Sequence, residues 1–166
     1  RKIEQMSLVQ SKPSTTVVFC IESGYFESQT RLAIEALRRF GGQLANVPVL
    51  AITPRLGPSL TRDTLRHLDE LGVTYIRRDM HHPLSWYGFM NKPLALKIAS
   101  EHVSSEQIIW LDSDVLVTAE PELLWLEPDI DFAVCPTDKN VGSAGPHDKS
   151  ESYWVALSEY MGFNIA

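Results

Sequence analysis

Two carboxylates one residue apart, Asp112 and Asp114, stand directly behind the apolar run Ile108-Ile109-Trp110-Leu111, and the chain turns apolar again at Val115-Leu116-Val117. A short continuous apolar run suits a strand buried on both faces, as in a parallel sheet. Carboxylates beside such a strand are costly to bury unless they are paired or bind a metal. In open α/β sheets ligands bind beyond the carboxyl ends of the strands, which is where Asp112 and Asp114 fall. Their chemistry would be that of hard oxygen ligands for Mg²⁺ or Mn²⁺, with positions left open for phosphate oxygens. A cation held there could neutralise a departing diphosphate. The competing reading is a solvated turn in which the aspartates cap local backbone groups.

Lys92 lies in the first turn of an expected helix, where a cation opposes the helix dipole. That misfit is the reason to ask for a function; an ordinary surface lysine is the alternative. Asn91 before it reads as the N-cap, with Pro93 in the first turn where a missing N–H costs nothing. His81-His82 has no third ligand at useful spacing and reads as a solvated pair in a loop. Cys20 and Cys135 form no CxxC and no cluster, so they read as buried thiols rather than a disulfide or a zinc site.

The elements that must position these groups follow from hydrophobic period. Strands are expected at 17–21, 47–53, 73–76, 107–111 and 131–136. A helix over 28–40 would turn Leu32, Ala33, Ala36, Leu37 and Phe40 inward and stop at Gly41-Gly42. A second helix should start at Thr61, flanked by Leu60 and Leu65 at hydrophobic-staple spacing, with Leu65, Leu68 and Leu71 inward and Gly72 at its end. The helix from Asn91 carries the stripe Ala95, Ile98, Ala99 and His102. One helical turn is expected at 122–126 and a last helix at 150–161. Residues 1–16 read as a polar linker, and 17–166 as one α/β domain with a mostly parallel central sheet flanked by helices.

The chain has 166 residues, 44% of them hydrophobic, and a formal net charge of −6. That is globular composition without a basic patch, which disfavours nucleic acid as a partner. No apolar run reaches the length of a membrane span and no signal-peptide pattern opens the chain, so a cytoplasmic setting is the expectation. The last residues, Gly162 to Ala166, read as the approach to a further element, and the expectation is a fragment truncated at its C-terminus.

The DxD spacing is shared by two enzyme classes. In haloacid-dehalogenase-type phosphatases it opens the domain, whereas here about two-thirds of the chain precedes it; Asp138-Lys139 on one loop does not supply the later motifs such an enzyme needs. The wider pattern resembles the glycosyltransferases of the GT-A fold, in their glycogenin-like branch. "VFCIESGY" (18–25) resembles the first strand and base-binding loop, and "MNKPLALKIASEH" followed by "IIWLDSDVLV" resembles the lysine-bearing helix and DxD strand. "PELLWL" and "DFAVCP" resemble the turn and strand that come next, and "GSAGPHDKSESYW" is similar to bacterial relatives of these enzymes.

The resemblance implies a metal-dependent transfer of a sugar from a nucleotide-diphosphate donor, a UDP-sugar by analogy, to an unknown acceptor. It implies Asp114 as the main ligand of Mn²⁺ or Mg²⁺ and Asp112 as a ligand of the metal or of the donor ribose, with Ser113 between them. Lys92 would approach the diphosphate or hold an aspartate. Ser23 and Gly24 would let the backbone approach the base and Tyr25 would stack on it, unless Tyr25 and Phe26 merely seat the first helix. Glu22 has no assigned role. Trp86 and Tyr87 read as a sugar-site wall or as packing beneath the long loop, and His147 and Asp148 as a flap over the nucleotide or a surface turn. No catalytic base is named. A nucleotide-sugar-binding or scaffold module without turnover is the reading from another class; a sugar nucleotidyltransferase would show a Gly-rich basic loop in place of "ESGYFES".

Overall fold

The structure, a computed structural model, describes residues 13–127, 129–134, 147, 149 and 151–162, in two compact units that divide after Glu127. In the first unit, Thr15–Cys20 (β1), Val49–Thr53 (β2), Val73–Arg77 (β3) and Gln107–Trp110 (β4) form one parallel sheet in the order β3-β2-β1-β4. Helices Tyr25–Phe40 (α1), Arg62–Glu70 (α2) and Asn91–His102 (α3) connect the strands. This is the expected α/β, Rossmann-like arrangement. No described helix is long and apolar enough to cross a membrane.

The two-residue period of the strands divides the core into two layers. Val17, Phe19, Ile21, Ala51, Ile109 and Leu111 pack with Ala33, Ile34, Leu37 and Leu68 of α1 and α2. Val18, Leu50 and Ile52, with Ile108 and Trp110 packed against them, face Ala95, Ile98 and Ala99 of α3. Full burial of each large side chain, Phe19 and Ile98 among them, contributes about 1.5–3 kcal/mol.

Strand order reverses beside β1. The chain runs outward from β1 to β2 to β3 and then returns to lay β4 on the other side of β1. The crevice at the carboxyl ends of β1 and β4 is therefore a topological switch point, the place where open sheets bind ligands.

Several local expectations need correction. α1 begins at Tyr25, not 28, and its inward line is Glu27, Thr30, Ala33, Ile34 and Leu37, while Leu32 and Phe40 are exposed. The earlier start is set by a reciprocal cap: Gly24 N–H donates to Glu27 Oε1 at 3.1 Å, and Glu27 N–H donates to the Gly24 carbonyl at 3.1 Å. Gly24 holds φ 95° and ψ −135°, a conformation open to glycine and costly for other residues. Strand β1 starts at Thr15, so the expected linker is two residues shorter; Thr15 and Thr16 pair with Gln107 and Ile108.

Thr61 caps α2 as expected, its hydroxyl accepting from Thr64 N–H at 3.2 Å. Leu68 is buried beneath that helix, whereas Leu65 is exposed. Asn91 is not a cap. A 3₁₀ turn at Gly88–Met90 runs straight into α3, so Asn91 already has helical dihedrals and its amide reaches elsewhere. Of the expected strand 131–136, residues 131–134 form none, with Phe132 and Val134 largely exposed; 135 and 136 lie outside the described residues. The expected turn near 122 forms as a 3₁₀ turn, Glu122–Leu124, and Glu151–Met161 (α4) is the expected last helix, in the second unit.

Arg38 on α1 closes the opposite end of the sheet. Its guanidinium donates to the carbonyls of Leu71, Ala45, Val47 and Gly72. A cavity of about 500 Å³ lies there at the amino ends of the strands, and Arg38 lines it. That end of a parallel sheet is not where ligands bind, and Arg38 serves there as a backbone clasp.

Candidate active site at the carboxyl end of the sheet

The alternation in β4 continues past its end. Trp110 faces α3 and Leu111 faces α1, and the residues that follow divide the same way. Asp112 is met from the α3 side: Lys92 Nζ donates to Asp112 Oδ2 at 2.8 Å, and Trp110 Nε1 donates to Oδ1 at 2.8 Å. Burial, the largest influence, pushes the Asp112 carboxyl up, but the bonds from Lys92 and Trp110 outweigh it and hold the group below its ordinary value. Lys92 thus finds in Asp112 the carboxylate that offsets its unfavourable position at a helix start.

Ser113 turns to the α1 side. Its hydroxyl donates to the Cys20 carbonyl at 3.0 Å and lies 3.0 Å from the hydroxyl of the fully buried Thr30. The serine between the aspartates therefore ties this loop to the end of β1 and to α1. Asp114 is exposed, and among the described residues its carboxylate has no hydrogen-bond or ion-pair partner. One aspartate of the pair is held from two sides and the other is free among the described residues.

Beside this lies a cleft of about 390 Å³ over the ends of β1 and β2, lined by Glu22, Ser23, Phe26, Arg55, Ser85 and Trp86 among others. Its floor is an ion pair that sequence reasoning missed. Arg55 grips Glu22 at two points, Nε to Oε1 at 2.5 Å and Nη2 to Oε2 at 2.8 Å, and donates through Nη1 to the Ser85 carbonyl at 2.9 Å. Asn91 Nδ2 adds a third donor to Glu22 at 3.1 Å, while Asn91 Oδ1 is buried with no partner among the described residues. Residue order does not announce the pair: it is the register of Cys20 on Ile52 that brings Glu22 and Arg55, just beyond the two strand ends, side by side.

A second missed carboxylate is Glu27, 6% exposed. Besides Gly24 it accepts from the Thr61 N–H at 2.9 Å and the Thr61 hydroxyl at 2.8 Å. Burial pushes its carboxyl up, yet the hydrogen bonds from Thr64, Thr61 and Gly24 hold it down at about 2. It fixes the β1–α1 loop to the start of α2.

Of the expected base-binding loop, Ser23 lines the cleft, the Gly24 N–H is taken by Glu27, and Tyr25 is 73% exposed. The Tyr25 ring lies edge-on to that of Phe26 at 6.2 Å and stands largely in solvent instead of seating the helix. Trp86 is 76% exposed and half-exposed Tyr87 stacks obliquely on it at 5.7 Å, so neither is packed beneath the loop. His81 pairs with Asp79 at 3.0 Å on an exposed loop, in keeping with a solvated position. The Cys20 thiol is pushed up to about 12, first by burial and then by Glu22, which removes it as a nucleophile at neutral pH. His147 is exposed, in the second unit; Asp148 and Cys135 lie outside the described residues.

Searches of curated proteins and of solved structures return no match to this chain. A family model does match, over residues 17–166, which takes in every strand, helix and site residue described above except Thr15 and Thr16 of β1. Its description supplies the chemistry that a carboxylate-bearing crevice at a switch point leaves open: the chain belongs to the Rhodobacterales glycosyltransferase domain family.

Proposed function

We propose that this glycosyltransferase has the GT-A fold of the glycogenin-like branch and takes its sugar from a nucleotide-diphosphate donor, a UDP-sugar, with Mn²⁺ or Mg²⁺ as cofactor. One observation carries the reading: at the β1–β4 switch point Lys92 holds Asp112 while Asp114, two residues on, is exposed and without a partner among the described residues. A cation and an anion side by side with a free carboxylate suit a ligand that brings both charges, a metal-bound diphosphate.

The donor set fits the cation. Both groups are hard oxygen ligands, and each Asp112 oxygen keeps one lone pair beyond the bond it accepts. Mg²⁺ and Mn²⁺ are satisfied by one or two carboxylates when water and phosphate oxygens complete the shell. When bound, such an ion would supply electrostatic stabilisation to the departing diphosphate. Asp114 and Asp112 would hold it, and Lys92 would approach the phosphate oxygens. Ser23 and Gly24 would lie against the base, with Tyr25 stacking on it. Ser113 would contribute by fixing the spacing of the two aspartates. The acceptor hydroxyl attacks the anomeric carbon as the diphosphate leaves; no residue is assigned as its base.

Calorimetric titration of UDP, GDP and their sugars, with and without Mn²⁺, tests the site on the unmodified chain and on Asp114→Ala. UDP should bind more tightly with Mn²⁺, and Asp114→Ala should lose that enhancement. Nucleotide binding that ignores both the ion and the substitution would overturn the reading. Hydrolysis or transfer of a bound UDP-sugar separates the enzyme from a binding module without turnover.

A further inference from the structure

The two ion pairs at this end of the sheet differ in kind. Glu22–Arg55 is a two-point pair whose side chains are 21% and 22% exposed, with Asn91 donating to Glu22 and the Ser85 carbonyl accepting from Arg55. Lys92–Asp112 is a single contact at 2.8 Å between side chains 47% and 40% exposed. A shielded two-point pair is held firmly, whereas an open single-point pair is weak and exchanges readily. The Asp112 carboxylate would also survive the loss of Lys92 in place, because Trp110 Nε1 holds its other oxygen.

We propose that Lys92 is an exchangeable counter-ion of Asp112, so that the divalent cation and the nucleotide diphosphate are taken up together and not singly. The inference rests on the reading of this crevice as a cation–diphosphate site. Without a nucleotide, Lys92 already gives Asp112 its positive partner, and a lone cation arriving at Asp114 finds one free carboxylate and a like charge alongside. A diphosphate reverses that balance. Its negative oxygens accept both Lys92 and the cation, which releases Asp112 to the cation. Lys92 thus makes the empty site a poor trap for free metal and couples the two ligands thermodynamically, each raising the affinity of the other by the same factor.

Mn²⁺ binding, followed by the paramagnetic resonance of the free ion with and without UDP, tests this on the unmodified chain, Lys92→Met, Lys92→Arg and Asp114→Asn. Lys92→Met should bind Mn²⁺ alone roughly three- to tenfold more tightly, the size expected for loss of an exposed competing charge. UDP should then raise its Mn²⁺ affinity by a correspondingly smaller factor, and Lys92→Arg should behave like the unmodified chain. Mn²⁺ affinity in Lys92→Met that is unchanged or weaker without UDP overturns the inference. Asp114→Asn tells that failure from failure of the site: if it binds Mn²⁺ as the unmodified chain does, with and without UDP, the cation site itself is wrong. Far-UV circular dichroism of each variant confirms that it is folded before titration.

Discussion

The Ser113 hydroxyl donates to the Cys20 carbonyl at 3.0 Å, joining the turn between two aspartates to the end of the neighbouring strand. The serine of the aspartate motif therefore acts on spacing. Its bond fixes how far Asp112 and Asp114 stand from β1, while Thr30 backs it from α1.

Ser113→Ala removes that tie and leaves the Cys20 carbonyl without it. A lost internal hydrogen bond at a part-buried position costs about 1–2 kcal/mol, measured as a lower urea midpoint at unchanged slope. Nucleotide affinity should fall only modestly, and Ser113→Thr should restore stability. A tenfold loss of UDP affinity at full stability would make Ser113 a direct ligand instead.

Glu27 gives the protein an acid limb. Its carboxyl lies at about 2 in the folded state against an ordinary value of 4.5, so folding favours the ionised form. The resulting stability is present in full above the unfolded value and is lost as pH falls from about 4.5 toward 2. A shift of this size corresponds to about 3 kcal/mol. Glu27→Gln should be less stable than the unmodified chain at pH 7 and show a flatter decline in urea-unfolding free energy between pH 5 and 2, roughly the window set by that linkage. Parallel acid limbs in the two proteins would show that other carboxylates carry the dependence.

The sheet and its helices were legible because period and punctuation agree: β1 to β4 are apolar runs, and Gly41, Gly72 and Thr61 mark helix ends where the structure has them. The inward face of α1 was misread because its start is set by the Gly24–Glu27 cap, and glycine and glutamate three residues apart resemble an ordinary loop. Asn91 was misread as a cap because the preceding 3₁₀ turn leaves no cue to residue type. The alternation Asp131-Phe132-Ala133-Val134 has the strand period but no sheet pairing over those residues. Within the site, Lys92 and Asp112 were legible as chemistry, and the resemblance left Lys92 between the diphosphate and an aspartate; they meet because a helix start and a strand end in consecutive elements fall at the same end of a parallel sheet. Glu22 with Arg55 and Glu27 with Thr61 join residues 33 and 34 apart. The register of β1 on β2 brings the first pair together and the packing of α1 beside the start of α2 the second, and composition reveals neither.

Arg55 should control the loop that precedes α3. Its Nη1 bond to the Ser85 carbonyl links it to the exposed aromatic stretch, and its pairing with Glu22 fixes the guanidinium. Lysine supplies a charge but not the planar fork. Arg55→Lys should therefore lose about 1–3 kcal/mol of stability and speed chymotrypsin cleavage at Trp86, Tyr87 or Phe89. An unchanged cleavage rate would show that the backbone turns His82–Ser85 and Leu84–Tyr87 hold the loop without Arg55.

Trp110 should tune Asp112 without touching a ligand. The indole N–H is one of two donors that keep the Asp112 carboxyl below its ordinary value against burial, which pushes it up. Trp110→Phe keeps an aromatic ring on the α3 face and removes the donor. The Asp112 carboxyl should then titrate at higher pH than in the unmodified protein, followed through its ¹³C carboxyl shift, and Lys92→Met should move it in the same direction by removing the other donor. Because a higher folded value makes the carboxylate easier to protonate, Mn²⁺-supported UDP binding in Trp110→Phe should be lost at higher pH on acidification than in the unmodified chain. If the carboxyl shift titrates identically in both proteins, the indole bond is not what lowers Asp112, and Lys92 does so alone.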